Sequence, residues 1–318
     1  MVIFKRKILF LSFFLLLFSV VAIAFVKRHG LLWRVKMLVQ KDITNASVRL
    51  PDSLKETSGL LYWHNCFWTM NDHRKPFLYA VNPKTGFVER KIKLIGVKTE
   101  DWEDLTQDEQ HIYVGDFGDN DKRARIIGRT IYKVSKKEMI ENDSVVVQKI
   151  NFQLEGYFDD RNKKPNQTNF DCEAMIAMND SLYLFTKEWK SLQTTVYVLP
   201  NKPGDWVARK KQSFDVDGLI TGATFFSPYT TLALCGYNTD MKTYLIPFVY
   251  LFSGFDGNDF FSGNRKKVFL GRPFHQVEGV ATKDGKNFFF TNEGITKDRI
   301  FIAPLLMKAN LDKFLPTH

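Results

Sequence analysis

The sequence predicts an all-β protein: a five-bladed β-propeller behind an N-terminal transmembrane helix, with six blades as the alternative. Three observations predict it. Twenty-nine Phe residues, in a chain that is 44% hydrophobic and 14% aromatic, favour strands over helical bundles. One apolar run near the N-terminus is long enough to cross a bilayer. Most telling, a two-strand pattern recurs five times along the 318 residues.

The apolar run comes first in the chain. Residues 8–26, "ILFLSFFLLLFSVVAIAFV", follow the basic "KRK" without interruption. A helix of that length just spans the hydrocarbon core. Ala22-Ile23-Ala24 offers a signal-peptidase motif as the rival reading, but Lys27 and Arg28 directly behind the run oppose cleavage. Residues 1–28 are therefore read as a membrane anchor or signal segment. Residues 29–44 are a linker that can lie on the bilayer as a basic amphipathic helix. Residues 45–310 are the propeller and 311–318 a C-terminal tail. The body is then expected outside the cytoplasm, tethered to the membrane, or secreted if the leader is removed.

Net charge is +10, which superficially suggests nucleic acid. Its distribution excludes that class. Residues 1–41 carry eight basic side chains and no acid, leaving 37 basic against 35 acidic residues in the body. The three cysteines, Cys66, Cys172 and Cys235, form no CxxC and make neither a disulfide framework nor a zinc site. No P-loop, HExxH or GxSxG motif occurs.

The repeats begin at "ETSGLLYWHNCFWTMND" (56), "DWEDLTQDEQHIYVGDFGDN" (101), "DCEAMIAMNDSLYLFTKEW" (171), "LITGATFFSPYTTLALCGYN" (219) and "QVEGVATKDGKNFFFTNEG" (276). Each offers a strand, a turn and a second strand. Third strands follow as "FLYAVN", "TIYKVS", "TVYVLP", "TYLIPFVYLF" and "RIFIAP". "VERKIKL", "VVVQKINFQL" and "KKVFLG" are fourth strands. "NASVRLP" (45–51) is positioned to close the ring with the last unit. Spacings of 45, 70, 48 and 57 residues suit four-stranded blades. The long second gap leaves room for a sixth blade, although "YFDDRNKKPNQTN" within it is better taken as a polar loop.

The third residue of each unit carries side-chain oxygen: Ser58, Glu103, Glu173, Thr221 and Glu278. First strands line a propeller's axis, so these five side chains form a ring. Three converging glutamates raise one another's pKa or share a cation. Oxygen donors without His or Cys suit Ca²⁺. Thirteen to fifteen residues further along each unit come Asp72, Asp116, Lys187, Gly236 and Asn292, where the second strand returns to the same end. That mouth is where a small-molecule or protein ligand is expected.

The ring order resembles that of the calcium-activated nucleotidases, five-bladed apyrases whose central calcium is ringed by Ser, Glu, Glu, Ser and Glu. "HIYVGDFG" and "VEGVA" are similar to that family's second- and fifth-blade motifs, over residues 52 to 305. Shorter pieces, "E-x-SGL" and "EGV", also resemble esterase-like phytases and related exported calcium propellers. The resemblance implies calcium-dependent hydrolysis of phosphoanhydrides or phosphoesters. Asp72 or Asp116 would be general base. Arg74 and Lys187 would hold the substrate, with Asn292 and Glu293 beside them and Arg125 and Arg299 further off. This sequence departs from the family at Asn71-Asp72-His73-Arg74, at Asp119-Asn120-Asp121 and at Lys187-Glu188. Its mouth is more acidic than a polyphosphate site requires. The alternatives are a lactonase- or esterase-type hydrolase and a monomeric, non-enzymatic binding propeller with a structural metal.

Overall fold

The computed structural model describes residues 41–73, 75–119, 128–157, 166–240, 244–297 and 300–316. The apolar run at 8–26 and the linker up to residue 40 lie outside them. Among the described residues no helix is long and apolar enough to cross a membrane.

After β1 (Thr44–Arg49), the first unit contains β2 (Thr57–Trp63), β3 (Cys66–Asn71), β4 (Phe77–Val81) and β5 (Val88–Ile95). The second contains β6 (Trp102–Gln107), β7 (His111–Asp116), β8 (Arg129–Ser135), the short helix α1 (Lys136–Glu141), β9 (Ser144–Val146) and β10 (Gln148–Leu154). The third is β11 (Asp171–Met178), β12 (Ser181–Lys187), β13 (Gln193–Pro200) and β14 (Gly204–Asp215). In the fourth, β15 (Leu219–Phe226) leads to β16 (Thr231–Asp240), β17 (Tyr244–Ser253) and β18 (Asn264–Phe269). The last holds β19 (Val277–Thr282), β20 (Asn287–Asn292), the hairpin β21 (Ile295–Lys297) and β22 (Ile300–Ile302), and β23 (Leu305–Asn310).

Within each unit the strands pair antiparallel in a meander. The first strands contact one another in cyclic order: β2 with β6, β6 with β11, β11 with β15, β15 with β19, and β19 again with β2. Five apolar clusters follow the same cycle, each shared by two consecutive units. Trp102 and Tyr132 meet Leu61 and Trp68, for example, while Phe67 packs on Phe289 with centroids 4.3 Å apart. A four-stranded sheet alone leaves both faces wet, so stacking neighbours around a closed circle is how each face is buried. The all-β, propeller-like expectation is met in these terms. β1 supplies the outer strand of the last unit, pairing antiparallel with β23 from Thr44↔Ala309 to Arg49↔Leu305.

Three local readings differ from the sequence expectation. "RIFIAP" is not the third strand of the last unit. Ile300–Ile302 turns back on Ile295–Lys297, and β23 takes the third place. Chemistry explains the choice, since β23 buries Leu306, Met307 and Ala309 whereas Phe301 is 64% exposed. "VVVQKINFQL" is two strands: β9 lies parallel on β5, and β10 then completes the second unit. β14 is the third unit's fourth strand. Its "WVARKKQSFD" hides the strand signal because mostly charged and polar side chains face solvent.

Four first strands change register at one residue: Glu103, Glu173, Thr221 and Glu278 are each skipped between paired neighbours. In β2 the shift falls just after Ser58. Such bulges re-aim the side chain they carry. The residue behind each bulge faces the crowded axis and is small in four units: Gly59, Ala174, Gly222 and Gly279. A Cβ on Gly59 would lie 2.7 Å from Leu105 N, and one on Gly279 2.9 Å from the Gly59 carbonyl carbon.

In the second unit that place belongs to Asp104, which is fully buried. Its Oδ1 accepts the Leu105 N–H at 2.8 Å. Its Oδ2 accepts those of Met175 at 2.8 Å and Ala223 at 3.2 Å. One carboxylate thus ties β6, β11 and β15 together. Burial raises its pKa well above the ordinary range, against the three N–H donors that lower it. Asp104→Asn puts an amide –NH₂ against at least one of those N–H groups. It is expected to cost about 2–4 kcal/mol of stability, read as a lower melting temperature; an unchanged melt would refute the tie.

Candidate metal centre

The bulges deliver the expected oxygen-bearing residues to one end of the axis, but not to a common task. Ser58 Oγ donates to the Glu103 carbonyl at 2.6 Å, and Thr221 Oγ1 to the Val277 carbonyl at 2.5 Å. Both hydroxyls therefore join neighbouring first strands. Glu173 pairs with Lys187, Nζ to Oε1 3.1 Å, and both are buried. Tyr237 also bonds Lys187, and its ring and that of Trp189 face the ammonium at 5.6 and 5.1 Å. Burial disfavours this ammonium, but Glu173, Tyr237, Glu278 and Asp171 outweigh it and hold its pKa well above the usual range. Lys187, expected at the substrate, is the site's own counter-ion.

Glu103 links this pair to two further acids. Its carboxylate oxygen lies within 4.8 Å of one from Asp72 and one from Asp101, the three mutually close. Burial, then Glu173, Asp101 and Asp72, push its pKa well up. A side-chain hydrogen bond links Glu103 with Glu173. Two carboxyls can share one only if one is protonated or a cation intervenes. Glu278 is pushed up to about 7, chiefly by burial, with the Lys187 ammonium opposing. Glu293, at the start of the next loop, is raised well above its usual range by burial and by Glu278 and Asp72.

The surrounding backbone fixes this acidic cluster. The Asp101 N–H donates to Asp116 Oδ1 at 2.8 Å, and the Asp101 carbonyl accepts Phe117 N–H at 3.1 Å and Gly118 N–H at 3.3 Å. Trp102 N–H bonds the Asp72 carbonyl at 2.8 Å, locking the first mouth loop to the second strand set. Gly118 forms the floor: a Cβ there would sit 2.1 Å from Glu103 Oε1 and 2.3 Å from Asp101 Oδ2. Asp116 is buried, and its Oδ2 lies 3.1 Å from the Tyr132 hydroxyl. Burial, against these donors, pushes its pKa up to about 6.

Asp72 is half-exposed, with Oδ2 at 3.2 Å from His73 Nδ1. Asn292 is fully buried, and its amide nitrogen donates to the Glu293 and Ala303 carbonyls rather than facing a ligand. Arg74, Arg125 and Arg299 lie outside the described residues. The cysteines are free thiols. A groove of about 660 Å³ lies beside the mouth, with Asp116, Tyr132, Arg129 and Trp206 in its wall.

The cluster fits a hard divalent cation. Its donors are oxygens alone, and two buried carboxylate oxygens, Asp72 Oδ1 and Glu278 Oε1, have no hydrogen-bond partner among the described residues. Sequence reasoning missed Asp101 and Asp104. Aligning the position behind the bulge would have exposed Asp104, an acid in a column of glycine and alanine. Gly118 carried no signal beyond being a turn glycine.

No protein-family model matches the sequence, and no curated protein matches it. The resemblance to calcium-activated nucleotidases therefore rests on its short motifs. Similar solved structures are propeller-like. An exo-β-1,3-galactanase from Phanerochaete chrysosporium, solved with β-1,3-galactotriose, has a TM-score of 0.51 at 8% identity, covering 85% of this chain and 64% of its own. This chain thus spans less than two thirds of that protein. A GH43 β-1,3-galactosidase has a TM-score of 0.49 at 11% identity, covering 84% of this chain and 94% of its own. A glucose dehydrogenase has a TM-score of 0.45 at 9% identity, over 83% and 99%. At such identities the likeness is one of fold.

Proposed function

We propose that the chain is an exported, membrane-tethered, five-bladed propeller that binds one calcium ion at its mouth and works as a calcium-dependent hydrolase. The observation that carries this reading is the convergence of Asp72, Asp101, Glu103, Glu173 and Glu278 on one end of the axis, with the buried Lys187 ammonium against Glu173. One divalent cation offsets most of the excess. Bound there, calcium would supply Lewis acidity toward a carbonyl or phosphoryl oxygen.

The chain's own residues supply the rest. Asp72 belongs with the carboxylates that would hold the ion, which leaves Asp116 as proton acceptor, its pKa near that of a working base. Gly118, with no side chain, lets the Asp101 and Glu103 carboxylates lie against its backbone. Phosphoanhydrides and phosphoesters are the substrates that the nucleotidase resemblance implies. The lysine that would have met their charge is buried against Glu173, and this favours an uncharged ester or lactone. A second reading has its own support: Glu278, Glu173 and Lys187 are so deeply buried that the ion could be a structural staple beneath a binding surface.

Three outcomes check the proposal. Calcium at about a hundred times its Kd should stabilise the protein by about 2.7 kcal/mol, and chelator should abolish the gain. Without calcium, stability should depend on pH through Glu278. Its folded pKa of about 7 lies above its ordinary 4.5, so its contribution is full at low pH and is lost as pH rises through that window. Melting temperature should thus fall between about pH 5 and about pH 8, and calcium should remove most of the fall. Finally, a panel of nucleotides, phosphoesters and lactones should show turnover that needs calcium. Asp116→Asn should slow it by about 10²-fold or more. Turnover indifferent to chelator would overturn the hydrolase, and no turnover alongside calcium stabilisation would leave the binding reading.

A further inference from the structure

Resting on the reading that the mouth binds calcium, we infer that the ion sits off the axis, held by Asp72, Asp101 and Glu103, because the protein's own Lys187 ammonium occupies the axial seat. The five oxygen-bearing residues at the bulges do not act as one coordination shell. Ser58 and Thr221 are turned to backbone carbonyls, and Glu173 to the ammonium. Lys187 reaches this place from the end of β12. The equivalent positions in the other units are Asp72, Asp116, Gly236 and Asn292, so only the third unit brings a cation. A divalent ion on the axis would have to displace that ammonium from Glu173 and Tyr237, or share the space with a like charge.

The off-axis trio has the dimensions the ion needs. Two oxygens on one calcium, at about 2.3–2.6 Å each, stand no more than about 4.6–5.2 Å apart. The carboxylate oxygens of Asp72, Asp101 and Glu103 all lie within 4.8 Å of one another. Independent features point to a ligand there. Glu278 is 3% exposed, and its Oε1 has no hydrogen-bond partner among the described residues. Lys187 and Asp72 both act electrostatically on that carboxyl. Asp72 Oδ1 is likewise buried and unsatisfied. Gly118 is the second: a side chain there would overlap both Glu103 Oε1 and Asp101 Oδ2, so the only residue type that leaves the trio open is the one present.

Calcium titration calorimetry on the folded protein separates the two seats. Wild type should bind one calcium. Asp101→Asn should weaken binding at least tenfold, whereas Thr221→Val, which removes an axial hydroxyl turned to the Val277 carbonyl, should leave the affinity within about threefold. Because either change could disturb folding, Gly118→Ala is the companion variant. It adds one methyl against the trio and changes no charge. It should lose calcium binding while keeping its strand circular dichroism and its cooperative melt in chelator. Loss of binding in Thr221→Val, or unimpaired binding in both Asp101→Asn and Gly118→Ala, overturns the off-axis seat. Absence of calcium binding in the wild type overturns the proposed function itself, and with it this seat.

Discussion

Everything at the axis depends on how five first strands can meet without leaving buried backbone N–H groups unsatisfied. Small residues let the strands approach, but small residues cannot accept a hydrogen bond. Asp104 resolves this by placing a carboxylate in the gap that glycine and alanine leave, where it accepts N–H groups from β6, β11 and β15. An unpaired buried donor costs more than a made bond gains, so this accounting governs the arrangement. The bulges then follow, because each first strand must turn its next side chain away from a space already filled.

The same geometry makes the mouth acidic. Side chains thrust out at the bulges converge, and three of them are glutamates. Deep burial penalises each charge, and mutual repulsion adds to it. Lys187, ringed by Tyr237 and Trp189, compensates one side of the cluster, and Asp72, Asp101 and Glu103 crowd the other. Several basic residues among the described ones lie elsewhere. Lys91 and Lys93 on β5, Arg209, Lys210 and Lys211 on β14, and Arg265 and Lys266 on β18 face solvent along outer strands.

Much of the fold was legible because strands that bury both faces are written in apolar letters. "GLLYW", "AMIAM" and "FFFTN" announce inner strands. The outer strands are half wet and less readable, which is why β14 escaped notice and the break at Val147 was invisible. "RIFIAP" misled because Ile, Phe and Ile at strand spacing look like core, whereas the structure exposes Phe301. At the site, the recurring oxygen position was legible as a column across five repeats. The roles within it were not. Whether a hydroxyl faces the axis or a neighbouring carbonyl, and whether a lysine greets a substrate or neutralises a glutamate, is decided by distances of a few ångströms between units far apart in sequence. Lys187 and Glu173 are close partners across a hairpin, yet nothing in "DCEAMIAMNDSLYLFTKEW" requires the pairing.

The pairing of β1 with β23 has a consequence for synthesis on the ribosome. β1 leaves the exit tunnel well before the strand it will bind, with about 260 residues still to be made. Until then its hydrogen-bonding edge has no native partner, and the last unit lacks its outer strand. Such a contact, closing nearly the whole body into one loop, is among the slowest kinds to form. The sequence of β1 suits the wait: Thr44, Asn45, Ala46, Ser47, Val48 and Arg49 are mostly polar, a poor template for wrong partners while the chain is incomplete. A nascent chain released before β23 would carry two unmatched edges, and a truncated product should therefore be a target for chaperones and proteases.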